Sequence, residues 1–320
     1  MILEANALTK TYRRRVGRVV EQVSAVAGLD LMVKETEIFG LLGPNGAGKS
    51  TTMKMLTTLL KPDSGTAYVV GHDLVADPAA VRRGIGFVLQ AGGLTGANTA
   101  REELVLQGRL QGFGRAEAAE RSAEVLDLVG ATEFADRPTT TLSGGERRRV
   151  EIGLGIVHDP QLLFLDEPSL GLDPASRSQL ADTIRTLRER GMTIVVSTHY
   201  LDEADDLCDR VGIVDEGRVV CNGSPEELKR EVAGDVLTLT LGDADDLGIA
   251  LQRLSSRADV LDVAGEGAGL RLHVHDGERT LASTVADLTS AGLRVVGAAV
   301  RRPSLDDVFL AHTGRALDPA

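Results

Sequence analysis

The stretch GPNGAGKS, Gly43 to Ser50, lies between an apolar run, EIFGLL, and a helix-like segment, TTMKMLTTLL. It fits the pattern G-x-x-x-x-G-K-[ST], in which glycines let the backbone N–H groups turn toward phosphate oxygens. The helix that follows adds the positive end of its dipole. Lys49 is predicted to reach the β- and γ-phosphates of a nucleotide, and Ser50 to hold Mg²⁺. A glycine-rich turn that matches by chance is the alternative, and the flanking strand and helix patterns disfavour it.

Two carboxylates end an apolar run in LLFLDEP, Leu162 to Pro168. A charge at the end of a buried strand is costly unless a cation or a reacting water stabilises it. Asp166 is predicted to bind Mg²⁺, and Glu167 to orient or deprotonate an attacking water. The alternative is that Asp-Glu-Pro only begins a turn.

Near-continuous apolar runs predict further strands of a sheet that is covered on both faces. They are GLDLMV from Gly28, IGFVL at 85 to 89 and TIVVS at 193 to 197. Amphipathic helical patterns rich in Ala, Glu, Arg and Leu interrupt these strands and predict a helical subdomain at about 91 to 160. The fold class is therefore predicted to be α/β, beginning as a parallel sheet.

The segment LSGGE, Leu142 to Glu146, places two glycines after a serine at the start of a helical pattern. Ser143 and Glu146 fit a capping box, so an ordinary helix start is one interpretation. Capping alone does not need two glycines, and the missing Cβ atoms of Gly144 and Gly145 would let an anion approach the helix N-terminus. The arginine run that follows, 147 to 149, is expected to be exposed.

Taken in order, these motifs resemble those of the ATP-binding subunits of ABC transporters, with LSGGE similar to the signature motif of that family. The resemblance covers about residues 1 to 233 and implies a P-loop ABC-type ATPase domain with a helical subdomain. It also implies a head-to-tail dimer with a second copy, in which each signature closes over the nucleotide held by the other copy. ATP and Mg²⁺ are the implied cofactors.

The resemblance assigns four more residues to the site. Tyr12 matches the aromatic residue that stacks on adenine, with a strand-end tyrosine as the alternative. Gln90 matches the glutamine that contacts Mg²⁺ and the attacking water. Asp173, in SLGLD, matches a residue at the dimer seam, and His199 matches the histidine that touches the γ-phosphate.

The expected catalytic residues are Glu167, His199, Gln90 and Lys49, and the expected Mg²⁺ ligands are Ser50, Gln90 and Asp166. The expected nucleotide contacts are Tyr12, Gly43, Pro44, Asn45, Gly46, Ala47, Gly48, Lys49, Ser50, Thr51, Gln90, Ser143, Gly144, Gly145 and Asp173.

Two positions depart from the family pattern. Glu146 stands where glutamine is usual, and because a carboxylate cannot donate a hydrogen bond to phosphate, we expect it to turn back as a helix cap. Thr36 stands where glycine is frequent, which affects a turn rather than the chemistry.

A second, smaller domain is predicted over 236 to 320, where strand-like and helix-like segments follow in the order β-α-β-β-α-β, an α+β arrangement. Its tail PSLDDVFLAHTG, 303 to 314, resembles that of a drug-exporter branch of the family, typified by daunorubicin-resistance ATPases. That resemblance implies export of a hydrophobic, drug-like compound.

The composition narrows the possible partners. The formal net charge of −12 disfavours nucleic acid, and no apolar run reaches the length of a membrane span. The resemblance to transporter subunits then implies a separate multi-span permease, with this chain peripheral at the cytoplasmic face of the cell membrane. The alternatives are a soluble ABC ATPase acting on the ribosome or chromosome, and a nucleotide-dependent regulator that does not hydrolyse ATP.

Overall fold

The computed structural model describes residues 1–16, 19–90, 92–232, 234–301 and 303–314. The chain divides into two compact units, the first ending at Ser224 and the second beginning at Pro225. None of the helices within the described ranges combines the length and the apolar composition needed to cross a bilayer.

The strands of the first unit are β1 (Leu3–Val16), β2 (Val19–Val33), β3 (Ile38–Leu42), β4 (Ser64–Val69), β5 (His72–Asp73), β6 (Ile85–Val88), β7 (Leu162–Asp166), β8 (Thr193–Thr198), β9 (Arg210–Asp215) and β10 (Arg218–Gly223). Its helices are α1 (Lys49–Leu56), α2 (Pro78–Gly84), α3 (Ala100–Leu110), α4 (Arg115–Leu128), α5 (Gly144–Ile156), α6 (Pro174–Glu189) and α7 (Leu201–Leu207), with 3₁₀ turns at Thr132–Phe134 and Thr139–Thr141.

The main sheet has the strand order β10-β9-β3-β8-β7-β6, and all its pairs are parallel except β10 with β9. Every residue of β3, β7 and β8 is buried, as their continuous apolar sequences predict. Since the strands are parallel, the carboxyl ends of β3, β8, β7 and β6 meet at one edge. The loop before α1, the Asp166–Glu167 pair, His199 and Gln90 all follow these ends.

A second sheet of the first unit is antiparallel, with the order β2-β1-β4-β5. The run GLDLMV lies in β2 and therefore belongs to this sheet and not to the parallel one. Buried and exposed residues alternate along this part of β2, as in a sheet with one solvated face: Leu29, Leu31 and Val33 are buried, while Met32 is exposed.

The helical subdomain consists of α3, α4 and α5, which pack on one another as predicted. The helices approach closely at Gly153, where an added Cβ would lie 3.1 Å from Val125 and 3.2 Å from Leu104. A Thr99–Glu102 capping box starts α3. The signature helix α5 is thus held by close packing against α3 and α4.

The second unit contains α8 (Pro225–Val232), β11 (Asp235–Leu241), a 3₁₀ turn (Ala244–Asp246), α9 (Leu247–Leu254), β12 (Val260–Glu266), β13 (Gly269–Val274), α10 (Gly277–Ser290), β14 (Val295–Arg301) and α11 (Leu305–Thr313). Its sheet is antiparallel in the order β12-β13-β11-β14, so the predicted β-α-β-β-α-β succession is present. Leucines on alternate positions of β11 and β13 form its core.

The division between the units differs from the one drawn from sequence. A first domain that ends at 233, as predicted from sequence, would contain α8, whereas in the structure α8 packs against α11 within the second unit. A short amphipathic helix at a junction carries no sequence signal for the side on which it packs. The ends drawn at 233 and 320 lie outside the described residues.

Candidate nucleotide-binding site

The glycines of the loop between β3 and α1 are required by close backbone packing. A Cβ on Gly43 would collide with the carbonyl oxygen of Val214, and one on Gly48 with that of Ala25. Gly48 also has a φ of +106°, a conformation that other residues adopt only with strain. The loop can therefore keep its wrapped shape only with glycine at both positions.

The Lys49 ammonium group lies inside this loop. Its Nζ donates hydrogen bonds to Gly43 O at 2.6 Å and Pro44 O at 3.1 Å, and lies 3.6 Å from Oε1 of Glu167. Burial lowers the pKa of Lys49, and the negative charge of Glu167 opposes that effect. The Lys49 ammonium group and the Glu167 carboxylate therefore lie side by side next to this loop.

Hydroxyl and carboxylate oxygens converge beside the loop. Ser50 Oγ donates to Asp166 Oδ1 at 3.1 Å, and Ser197 Oγ donates to the same oxygen at 2.6 Å. Asp166 is almost fully buried. Mg²⁺ is a hard cation that prefers oxygen ligands, so the side chains of Ser50 and Asp166 fit the predicted ion. Ser197 was not predicted from sequence, because no motif marks it beyond its place in a buried strand.

Glu167 is held in a strained backbone conformation with a φ of +43°. Its N–H donates to Ser197 O at 3.1 Å and Ser197 Oγ at 3.0 Å. Gln90 Nε2 donates to its Oε2 at 3.2 Å. His199 Nδ1 lies 3.4 Å from Oε1 without hydrogen-bond geometry. The Glu167 carboxylate is therefore contacted by Gln90 and His199, two predicted site residues that come from separate segments.

Lys49, Ser50, Gln90 and Glu167 border an open cavity of about 280 Å³, whereas Asp166, Ser197 and His199 do not line it. The residues that line it are Ala25, Pro44, Asn45, Gly46, Gly48, Lys49, Ser50, Thr51, Gln90 and Glu167. Among the described residues, Tyr12 and the signature residues do not line it. Tyr12 is 40% exposed and pairs in the sheet with Val23, two residues along β2 from Ala25.

The signature segment forms the predicted helix start. Ser143 is the N-cap of α5, accepting from Glu146 N at 3.2 Å, while Glu146 Oε2 accepts from Ser143 N at 2.7 Å. Arg137 pairs with the other carboxylate oxygen at 2.9 Å. The hydrogen bond from the Ser143 backbone holds the pKa of Glu146 below its usual value. The expectation that Glu146 turns back as a cap is confirmed.

The two signature glycines differ in what surrounds them. Gly145 is buried, and a Cβ there would lie 2.7 Å from Ser176 Oγ, which itself donates to Asp173 Oδ2 at 2.7 Å. Gly144 is exposed, and its Cβ would meet only Leu172 Cδ2 at 3.3 Å. Gly145 is thus required by packing within its own chain. The reasoning that a missing Cβ lets an anion approach the start of α5 therefore applies only to Gly144.

One arginine of the 147–149 run contradicts the expected exposure. Arg148 is 5% exposed, and its guanidinium group contacts Leu89, Asp166 and Pro168 through their carbonyl oxygens. Successive residues of a helix point about 100° apart, so one of three adjacent arginines faces the core. The flanking Arg147 and Arg149 are partly exposed.

Comparisons with known proteins agree with this geometry. Residues 26–170 match the family described as "ABC transporter", and residues 223–313 match "ATP-binding protein DrrA1-3-like, C-terminal domain". The "Daunorubicin/doxorubicin resistance ATP-binding protein DrrA" of Streptomyces peucetius is 43% identical over 317 residues, covering 99% of this chain and 93% of that protein. The chain belongs to the ABC transporter family. As a member of it, the protein binds and hydrolyses ATP.

Two further matches bear on function. The "Linearmycin resistance ATP-binding protein LnrL" of Bacillus subtilis is 36% identical, covering 99% of each chain. A dimeric structure of the ATP-binding cassette MJ0796, in a post-hydrolysis state bound to ADP and Pi, has a TM-score of 0.61 and 28% identity, covering 69% of this chain and 98% of that one. This ABC ATPase therefore shares its cassette fold with a protein that forms a dimer.

Proposed function

We propose that two copies of this ABC ATPase bind two ATP molecules between them, each copy supplying half of each site. The observation that carries the proposal is the separation of the predicted residues into two groups. Lys49, Ser50, Gln90 and Glu167 border one cavity, whereas the signature residues do not. An exposed helix N-terminus with a glycine at its first position fits the phosphates of a nucleotide bound by another copy. The dimeric structure of the related cassette supports this arrangement.

Within one site, each residue has a separate task. Lys49 stabilises negative charge on the β- and γ-phosphates, and Glu167 accepts a hydrogen bond from the attacking water. Gln90 and His199 fix the position of the Glu167 carboxylate, with which both are in contact. Mg²⁺, held by Ser50, Asp166 and Gln90, would neutralise charge that develops on the phosphate oxygens. Tyr12 stacks on adenine.

The partner copy completes the site through Ser143, Gly144 and Asp173. Ser143 and the first N–H groups of α5 are placed against the γ-phosphate, and Asp173 lies at the seam. The contacts to the γ-phosphate hold the copies together, so hydrolysis favours their separation. The chemistry is thereby tied to opening and closing of the dimer.

We further propose that this cycle drives export of a hydrophobic, drug-like compound through a separate multi-span permease, with the ATPase peripheral at the cytoplasmic face of the membrane. The support is the resistance function named for the daunorubicin/doxorubicin and linearmycin relatives and the match of the second unit to the DrrA-like domain. These matches favour the exporter over an ATPase acting on ribosomes or chromosomes.

A Glu167→Gln variant tests the proposal. Glutamine keeps the size of the side chain but cannot accept a proton, so the variant should retain MgATP, hydrolyse it slowly and accumulate as a dimer. Sedimentation velocity with MgATP and with MgADP measures this directly. A dimer with ATP and a monomer with ADP are expected, and a monomer at saturating MgATP would contradict the proposal.

A further inference from the structure

The Arg148 guanidinium group, on the signature helix α5, contacts the backbone on both sides of Glu167. Its Nη2 donates to Asp166 O at 3.0 Å and its Nε donates to Pro168 O at 2.9 Å. These two carbonyl groups belong to the residues immediately before and after Glu167. A single rigid, planar group therefore spans the peptide segment that carries the carboxylate.

The same guanidinium group also reaches the segment that carries Gln90. Its Nη1 donates to Leu89 O at 2.7 Å, one residue before Gln90, and to Glu151 Oε2 at 2.9 Å. Arg148 and Glu151 are both buried, so neither charge is solvated. Glu151 is itself confined, because its Oε1 occupies the space beside Gly92 into which a Cβ would project.

The conformation of Glu167 explains what such contacts do. With a φ of +43°, this non-glycine residue occupies a strained region that persists only where surrounding contacts fix it. Ser197 fixes the N–H of Glu167. Arg148 fixes the carbonyl groups on either side, and the two sets of bonds together leave the strained backbone little freedom to relax.

We infer that Arg148 is a positioning residue for ATP hydrolysis, which holds the Glu167 carboxylate and the Gln90 amide in their relative places by anchoring the backbone beside each. The inference rests on the proposed role of Glu167. Arg148 touches no reacting atom, so it acts on the rate of the chemical step and not on nucleotide affinity. Lysine cannot replace it, because a single ammonium group cannot reach four acceptors in the geometry of the guanidinium fork.

The test compares Arg148→Lys with Arg121→Lys in the full-length protein. Arg121 is a matched control, since it also donates to a backbone carbonyl, Val157 O at 3.0 Å, and pairs with Glu124 and Asp159. Arg148→Lys should lower kcat for MgATP at least about tenfold while KM and the Kd for MgATP stay within about twofold. Arg121→Lys should leave kcat unchanged.

A double variant distinguishes positioning from general damage. In a Glu167→Gln background, Arg148→Lys should cause no further loss of hydrolysis, because the group that it positions is already disabled. An equal loss in both backgrounds, or a kcat for Arg148→Lys equal to that of Arg121→Lys, would overturn the inference. If Glu167→Gln alone hydrolyses at the wild-type rate, the proposed function fails instead.

Glu151→Gln provides a milder perturbation that serves if Arg148→Lys does not fold. The amide keeps an acceptor for Nη1 but removes the charge that orients the guanidinium group. A fall in kcat of about threefold is expected without a change in Kd, and it should disappear in the Glu167→Gln background. A fall that persists there would contradict the inference.

Discussion

The unequal surroundings of the two signature glycines lead to opposite effects when each is replaced by alanine. In Gly145→Ala the new Cβ would lie 2.7 Å from Ser176 Oγ and 2.8 Å from Ser176 Cβ. The Ser176 side chain cannot simply turn away, because it is held by Asp173. Overpacking of this kind costs about 1–3 kcal/mol, and replacing a helical glycine returns up to about 1 kcal/mol. The net loss in the free energy of unfolding should be about 1–2 kcal/mol.

Gly144→Ala should leave stability unchanged or slightly higher. Its Cβ would meet only the end of the flexible Leu172 side chain, at 3.3 Å. If the phosphates bound by a second copy approach this position, however, the methyl group obstructs them. Hydrolysis should then fall at least about tenfold, because donors at the helix N-terminus are displaced from the developing charge.

Urea denaturation and steady-state MgATP hydrolysis, measured on both variants, separate the two effects. Ser176→Gly should restore most of the stability of Gly145→Ala, since it removes the side chain that the new methyl group meets. Full hydrolysis by Gly144→Ala would refute the reasoning about an anion from the second copy. Unchanged stability of Gly145→Ala would refute the packing argument.

Three further outcomes follow from local structure. Hydrogen bonding lowers the folded-state pKa of Glu146, so the charged side chain stabilises the fold above its unfolded-state pKa, and this stabilisation is lost as the pH falls through the folded-state pKa. Glu146→Gln should therefore lower the free energy of unfolding by about 0.5–1 kcal/mol at pH 7 and by less in acid. Urea denaturation across a range of pH measures this. Burial raises the pKa of the Cys208 thiol and makes it unreactive in the folded protein. In a Cys221→Ser variant, which leaves Cys208 as the thiol to be measured, Ellman's reagent should therefore label the native protein no faster than the protein unfolds. Rapid labelling would contradict the packing around Cys208. A chain ending at Ser224 should still bind MgATP by calorimetry, and loss of binding would show that the first unit depends on the second.

The parts of the fold that were predicted are those that local sequence determines. Continuous apolar runs identified β6, β7 and β8, and the glycine spacing around Lys49 identified the loop whose shape backbone contacts enforce. The parallel sheet then brings the ends of these strands together without further information. For this reason, residues that border the cavity, such as Lys49, Gln90 and Glu167, could be predicted from sequence.

The parts that were not predicted depend on which face of an element meets a distant segment. Arg148 looks the same as its two neighbours in sequence and differs only in its direction on α5. The need for glycine at 145 arises from Ser176, a residue of another helix. The separation of GLDLMV into an antiparallel sheet depends on its pairing with β1, which no local pattern of that run specifies.

Complementation between two inactive variants tests the shared site most directly. Lys49→Ala disables the loop that binds ATP, and Ser143→Arg blocks the signature, so neither variant alone should hydrolyse MgATP. In an equimolar mixture, a mixed dimer unites the intact loop of one copy with the intact signature of the other. We predict recovery of about a quarter of the wild-type rate, since half of the dimers are mixed and each has one complete site. A mixture no more active than its components, or hydrolysis by Ser143→Arg alone, would contradict a site shared between two copies.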